Sequence, residues 1–225
     1  MCQLIFTSRR QFECSDDRRS VSRTLASSVL YFAFCFFLIS FSCPAQTDTI
    51  KVHFLYGSKP MKKYKKTEFK YFGGIHGGHV TIEVDSIDYG FSPADRVHIF
   101  SQRKNKHSQF TGAYTHHKPP YPVGNKLVTF YIPVTHEQYV QIKKIDVCYC
   151  ANVPYDYAFF GMRCSASAED ILGQIGVLKK KRNSKIVRTN FYPKKLRKRL
   201  FKLAKKNNYK IVMQEGRSSR KWESD

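Results

Sequence analysis

Acidic residues are scarce in this chain. Its 225 residues hold 17 Asp and Glu against 39 Lys and Arg, a formal charge of +22. An excess of that size bears on partners and not on fold. It excludes a polycationic partner and points to a polyanionic one: anionic lipid, an acidic wall polymer or nucleic acid. Long apolar runs are lacking as well. The most apolar stretch, residues 29–41, has 13 residues, and a bilayer span takes about 20. Extending it to 24–45 reaches that length only by including polar residues. Cysteine is sparse beyond residue 45, where only Cys148, Cys150 and Cys164 remain. An odd count leaves at least one thiol without an internal partner if the chain is exported. Internal repeats and low-complexity tracts are absent, so nothing divides residues 46–225 into more than one domain.

What surrounds the short apolar run gives it a meaning. Arg9, Arg10, Arg18, Arg19 and Arg23 precede it, and Cys43-Pro44-Ala45 follow it. A basic region, a short apolar core and a small residue after a helix breaker are the parts of a secretory signal peptide. The alternative is an uncleaved membrane anchor through 24–45. On either reading the working part is 46–225, with a charge of +20 and enough length for a real core. Export also removes nucleic acid from the expected partners, leaving an anionic membrane or wall polymer met through Lys and Arg.

Along 46–225, residues 49–57 alternate as a strand and 80–84 are β-branched. Asp85-Ser86 is a turn, and 87–91 read as the returning strand. Residues 96–100 suggest a further short strand, and 127–134 a strong one. Residues 102–126 are polar, carry His107, His116 and His117, and contain three prolines; the expectation is a long surface loop with solvated histidines. Thr135-His136-Glu137-Gln138 is a capping box opening a helix to about 150, with Tyr139, Ile142, Ile145 and Tyr149 on one stripe. An aromatic connector, 154–162, leads to a second helix starting at or beside Cys164. Pro193 starts a last, Lys/Arg-rich helix with Leu196, Leu200 and Leu203 on one face, read as a solvated basic surface. Residues 209–213 close with a strand. The fold class expected is α+β, a small antiparallel sheet packed against helices.

Cys164 and His79 are the residues with chemistry to offer. A thiol at a helix N-terminus meets unpaired N–H groups and the positive end of the macrodipole, which favour the thiolate. Arg163 adds positive charge beside it. His79 stands at the head of a strand after the glycine-rich stretch 73–78, where a substrate backbone can approach. A cysteine and a histidine far apart in sequence and close in space are the general pattern of a thiol hydrolase.

The segment Gly77-Gly78-His79-Val80-Thr81-Ile82-Glu83, followed by Tyr157-Ala-Phe-Phe-Gly-Met-Arg-Cys164-Ser-Ala-Ser-Ala-Glu-Asp-Ile-Leu172, resembles the circularly permuted papain-fold hydrolases. Those include the NlpC-like cell-wall peptidases and the lecithin retinol acyltransferase-like enzymes. The resemblance covers roughly residues 70–175, with the histidine strand ahead of the cysteine helix, the reverse of unpermuted papain. It implies a permuted papain-like fold, Cys164 as nucleophile and His79 as base. The implied activity is amide hydrolysis, with a peptidoglycan peptide or another amide or acyl compound as substrate. It implies no cofactor or metal.

The orienting third residue has two candidates. Glu83 shares a strand face with His79 but lies about 13 Å along it. Asp88 is on the returning strand, opposite Glu83. Two other readings use the same residues. His76 and His79 with Cys148 and Cys150 could be zinc ligands, although the cysteine spacing lacks the usual two intervening residues. A non-catalytic basic protein binding an anionic membrane or wall surface would account for the charge without the thiol. An acyltransferase or lipid hydrolase on the same fold differs from the amide hydrolase only in substrate.

Overall fold

A computed structural model describes residues 47–57, 78–94, 97–102, 107–115 and 125–216. Chain contacts divide the molecule into Met1–Pro44 and Ala45–Asp225, and every described residue lies in the second unit. The leader reading, residues 59–77 with His76, and His116 and His117 fall outside the described residues. No helix among the described residues is long and apolar enough to cross a membrane.

Among the described residues six antiparallel strands form one sheet: β1 Thr47–Leu55, β2 His79–Val84, β3 Ile87–Pro93, β4 Ser108–Tyr114, β5 Leu127–Thr135 and β6 Ile211–Gln214, in the order β4-β3-β2-β1-β5-β6. Four helices are described: α1 His136–Ala151, α2 Cys164–Gln174, α3 Asn183–Thr189 and α4 Pro193–Asn207. The architecture is mixed α/β.

The two-residue period of the strands sorts their side chains by face. Ile50, Val52 and Phe54 of β1, Val80, Ile82 and Val84 of β2, and Val128, Phe130 and Ile132 of β5 are buried in one core with Ile171, Leu172, Leu196 and Leu200 of the helices. Each such side chain contributes about 1.5–3 kcal/mol when fully buried. Their neighbours Lys51, His53, Thr81, Glu83 and Thr129 fall on the opposite face and form a polar ladder.

Helix starts follow local chemistry. The Thr135 hydroxyl accepts from the Gln138 N–H, and the Gln138 side chain accepts from the Thr135 N–H, closing the capping box. Pro193 occupies the first turn of α4, where its missing N–H costs nothing. Helix α2 is buried from Cys164 to Gly173, so it is a core element.

Three sequence expectations need correction. The polar stretch 102–126 contains β4, which pairs with β3 from Ile87↔Tyr114 to Pro93↔Ser108. It is an edge strand buried mainly at Ser108 and Phe110, so most of its residues face water and read as loop. His107 is packed rather than solvated: its ring meets His98 edge-on at 5.0 Å. Of the stretch 96–100, the described residues 97–100 make a single bridge, His98↔Ala158, and no strand. The basic face of α4 is partly structural. Arg197 is wholly buried with its guanidinium 3.8 Å from the centre of the Tyr56 ring. Arg199 and Lys181 hold the buried Glu169 of α2 at 2.6 and 2.7 Å.

Candidate active site

The glycine before β2 sets the histidine. Gly78 has φ 78°, a conformation glycine adopts without strain, and the chain turns there into His79, the first residue of the strand. The β2–β3 pairing runs from Val84↔Ile87 only as far as Thr81↔Gly90. Beyond it the Val80 N–H is turned to Cys164, with which it hydrogen bonds. Gly90 supplies space on β3: a β-carbon there would sit 3.3 Å from His79 Nε2 and 3.1 Å from Thr81 Cγ2. The bare backbone at Gly90 is what lets the imidazole lie over the strand.

Cys164 is the first residue of α2 and is 6% exposed. Arg163 at the N-cap makes no side-chain capping bond, and the first turn holds no acidic residue. The Cys164 N–H is engaged by the Tyr157 hydroxyl, and no side chain caps the N–H groups that follow it, so the turn favours a negative charge developing at the thiol. The His79 imidazole and the Cys164 thiol hydrogen bond to each other.

Burial alone would raise the thiol and lower the imidazole. For Cys164 it is outweighed by the His79 charge and hydrogen bond, the Val80 N–H and the Arg163 charge, so the thiol is held below its ordinary value. For His79 burial is outweighed by the Cys164 charge and hydrogen bond and by Asp88, so the imidazole is held above its ordinary value. Opposite shifts on touching groups describe a thiolate–imidazolium pair, the reactive form of a cysteine nucleophile.

Tyr157, read in the sequence only as part of an aromatic connector, also belongs to the site. Its hydroxyl bonds to Cys164, and burial first, then the Cys164 charge, push its ionisation far up, so it stays a neutral donor. The placement of Tyr157 has a visible support. Asp156 Oδ1 accepts from the Ser108 hydroxyl at 2.8 Å, and Ser108 Oγ accepts from the Tyr157 N–H at 2.6 Å. Asp156 Oδ2 meets His98 Nδ1 at 2.8 Å and accepts from the Gln102 N–H at 2.9 Å. The ring of Tyr157 packs on Phe91 with centres 5.1 Å apart. Nothing local in the sequence marks this residue, because its partner Ser108 comes from β4, 49 residues away.

The structure separates the two carboxylates. Glu83 turns from the site: its Oε2 pairs with His53 Nε2 at 3.0 Å and its Oε1 accepts from Lys51 at 2.6 Å, while His53 Nδ1 meets the Thr129 hydroxyl at 2.8 Å. The His53 bond leads in holding its carboxyl down to about 2. Asp88 stands opposite Glu83, two residues from Gly90, and is close enough to His79 for each to favour the other's charged form. Burial pushes the Asp88 carboxyl up, and its Oδ1 is buried without a partner among the described residues.

The contrast predicts different phenotypes. Glu83→Gln costs about 2 kcal/mol of stability at neutral pH, seen in denaturant melts, and leaves alkylation of Cys164 unchanged. The wild-type advantage is full above the ordinary carboxylate range and is lost as pH falls toward about 2. Asp88→Asn removes a charge that holds His79 up, so the alkaline limit of any His79-dependent activity moves to lower pH.

The zinc ligands considered above do not come together in what is described. Cys148 and Cys150 are exposed on α1, two residues apart and so on different sides of a helix. His79 is engaged with Cys164, and no group of three or more His, Cys, Asp and Glu among the described residues could hold a metal ion. Compared with protein-family models, with characterised proteins and with solved structures, the chain matches none.

Proposed function

We propose that the chain is an exported cysteine hydrolase of permuted papain-like fold that cleaves amide bonds, with cell-wall peptides as its substrate class. The observation that carries this reading is the His79–Cys164 contact at the start of α2, with the two groups shifted in opposite directions. The Cys164 thiolate attacks the amide carbonyl carbon, and its electron pair moves to the carbonyl oxygen. The Tyr157 hydroxyl and the uncapped N–H groups that follow Cys164 in the first turn of α2 are the donors available to that oxyanion. The His79 imidazolium gives its proton to the leaving nitrogen, the C–N bond breaks, and an acyl-enzyme on Cys164 remains. Water, losing a proton to His79, then attacks the thioester, and the acid departs with the thiolate–imidazolium pair restored. Asp88 favours the protonated form of the imidazole through its charge.

The test is a panel of muropeptides and phospholipid esters, read by product mass and by the intact mass of the acid-quenched protein. The expected result is amide cleavage and a transient acyl adduct on Cys164, both abolished by Cys164→Ala. Release of fatty acid through the same adduct would keep the nucleophile and move the substrate to the acyltransferase or lipid hydrolase reading. Hydrolysis that persists in Cys164→Ala would remove the proposal. Absence of turnover and adduct on every substrate would leave a basic binding protein as the better account.

A further inference from the structure

The aromatic connector does not serve only as core. Phe160 is 55% exposed, and beside it stand Ile99 at 64% and Phe100 at 69%. Two backbone bonds lock the two segments together: the Phe159 N–H donates to the His98 carbonyl at 2.7 Å and the Phe160 N–H to the Ile99 carbonyl at 2.9 Å. Phe100 and Phe160 are thereby stacked, with ring centres 5.6 Å apart. Phe159 and Phe191 back them, with centres 4.8 and 6.2 Å from Phe160. The Arg163 guanidinium lies 3.9 Å from the centre of the Phe191 ring, so the ridge is built on the residue that precedes Cys164.

Large apolar side chains held rigidly in water at such exposure mark an interaction site. The flanks say what kind. Phe191 and Tyr192 join α3 to α4, and around that junction Lys185, Arg188, Lys195 and Lys198 are exposed. An apolar ridge flanked by cations is complementary to one surface above others, a bilayer whose headgroups are anionic and whose boundary region accepts aromatic rings.

We propose that Ile99, Phe100 and Phe160 insert into the headgroup boundary of an anionic bilayer, with the cations of α3 and α4 on the lipid phosphates. Docking by this ridge does not depend on whether Cys164 reacts. Nucleic acid, the other polyanion with an affinity for aromatic rings, fits less well. Base stacking needs a free ring face, and here the two exposed rings of the ridge stack on each other beside an aliphatic Ile99.

The test uses the full chain with Trp222→Phe, which removes its one tryptophan, and a reporter introduced as Phe100→Trp, or as Phe160→Trp should the first misfold. Vesicles of brominated phosphatidylcholine, with and without phosphatidylglycerol, quench any indole that enters them. Val147→Trp, at a residue of α1 that is 66% exposed, controls for binding through other parts of the chain. Expected is quenching of the ridge reporter by about half or more in anionic vesicles, little for the α1 reporter, and an affinity that falls about tenfold from low to high salt. Equal quenching of the two reporters, or none, overturns the proposal. So does a ridge reporter already buried without vesicles, which would mean that residues 29–41 or a second copy covers the ridge. Quenching by a single-stranded oligonucleotide alone would assign the surface to nucleic acid and overturn it equally.

Discussion

Asp146→Asn is expected to stabilise the protein by about 2–4 kcal/mol at pH 8 and to change little near pH 4. Asp146 lies on α1 beside Ile142 and Ile145, is wholly buried, and neither carboxylate oxygen has a partner among the described residues. Burial alone pushes its carboxyl up to about 8. The folded chain keeps this proton through a range where the unfolded chain has released it. Stability therefore falls as pH rises from the ordinary aspartate value toward 8. Full linkage over that interval gives about 5 kcal/mol, and local relaxation or an entering water reduces it. Asparagine cannot ionise, so its advantage grows with pH; denaturant midpoints at pH 4, 6 and 8 measure it. A constant difference across that range would mean that Asp146 is already ionised in the fold.

His79→Ala is expected to slow alkylation of Cys164 at pH 6 by about 100-fold, since each unit of thiol pKa is tenfold in thiolate. The histidine charge leads the influences that oppose burial at this thiol. Without it burial has less to oppose it, with only the Val80 N–H and Arg163 on the other side. Mass-spectrometric mapping of an iodoacetamide label separates Cys164 from the exposed Cys148 and Cys150. The gap between variant and wild type should narrow as pH rises and the variant thiol ionises by itself. An unchanged rate would mean that the imidazole does not control the thiol.

The reach of the sequence can be traced residue by residue. Thr135 and Pro193 announce helices because capping and first-turn chemistry is local, and the Ile171, Leu172 and Ile175 stripe announces α2 by its period. The alternation in 127–134 and the β-branched run 80–84 announce strands for the same reason. Ser108–Tyr114 gave no such signal, because an edge strand with one outward face needs few apolar residues. Helix α3, at seven residues, is too short for a period to show and has no side-chain cap. The pairing of His79 with Cys164 was legible as a pattern of residue types. The choice between Glu83 and Asp88 was not, because it turns on His53, 30 residues from Glu83 and one strand away. Tyr157 and the buried Arg197 escaped for a related reason. Their roles are set by Ser108 and Tyr56, which only the tertiary fold brings near.

The thiolate–imidazolium pair is tested most directly by a nuclear magnetic resonance titration of the His79 ring in histidine-labelled protein, wild type against Cys164→Ser. The account predicts an imidazolium that persists above the ordinary histidine value in wild type. In Cys164→Ser the anion is gone and burial prevails, so the midpoint should fall. A His79 midpoint at or below the ordinary value, and the same in both proteins, would contradict the pair and with it the hydrolase.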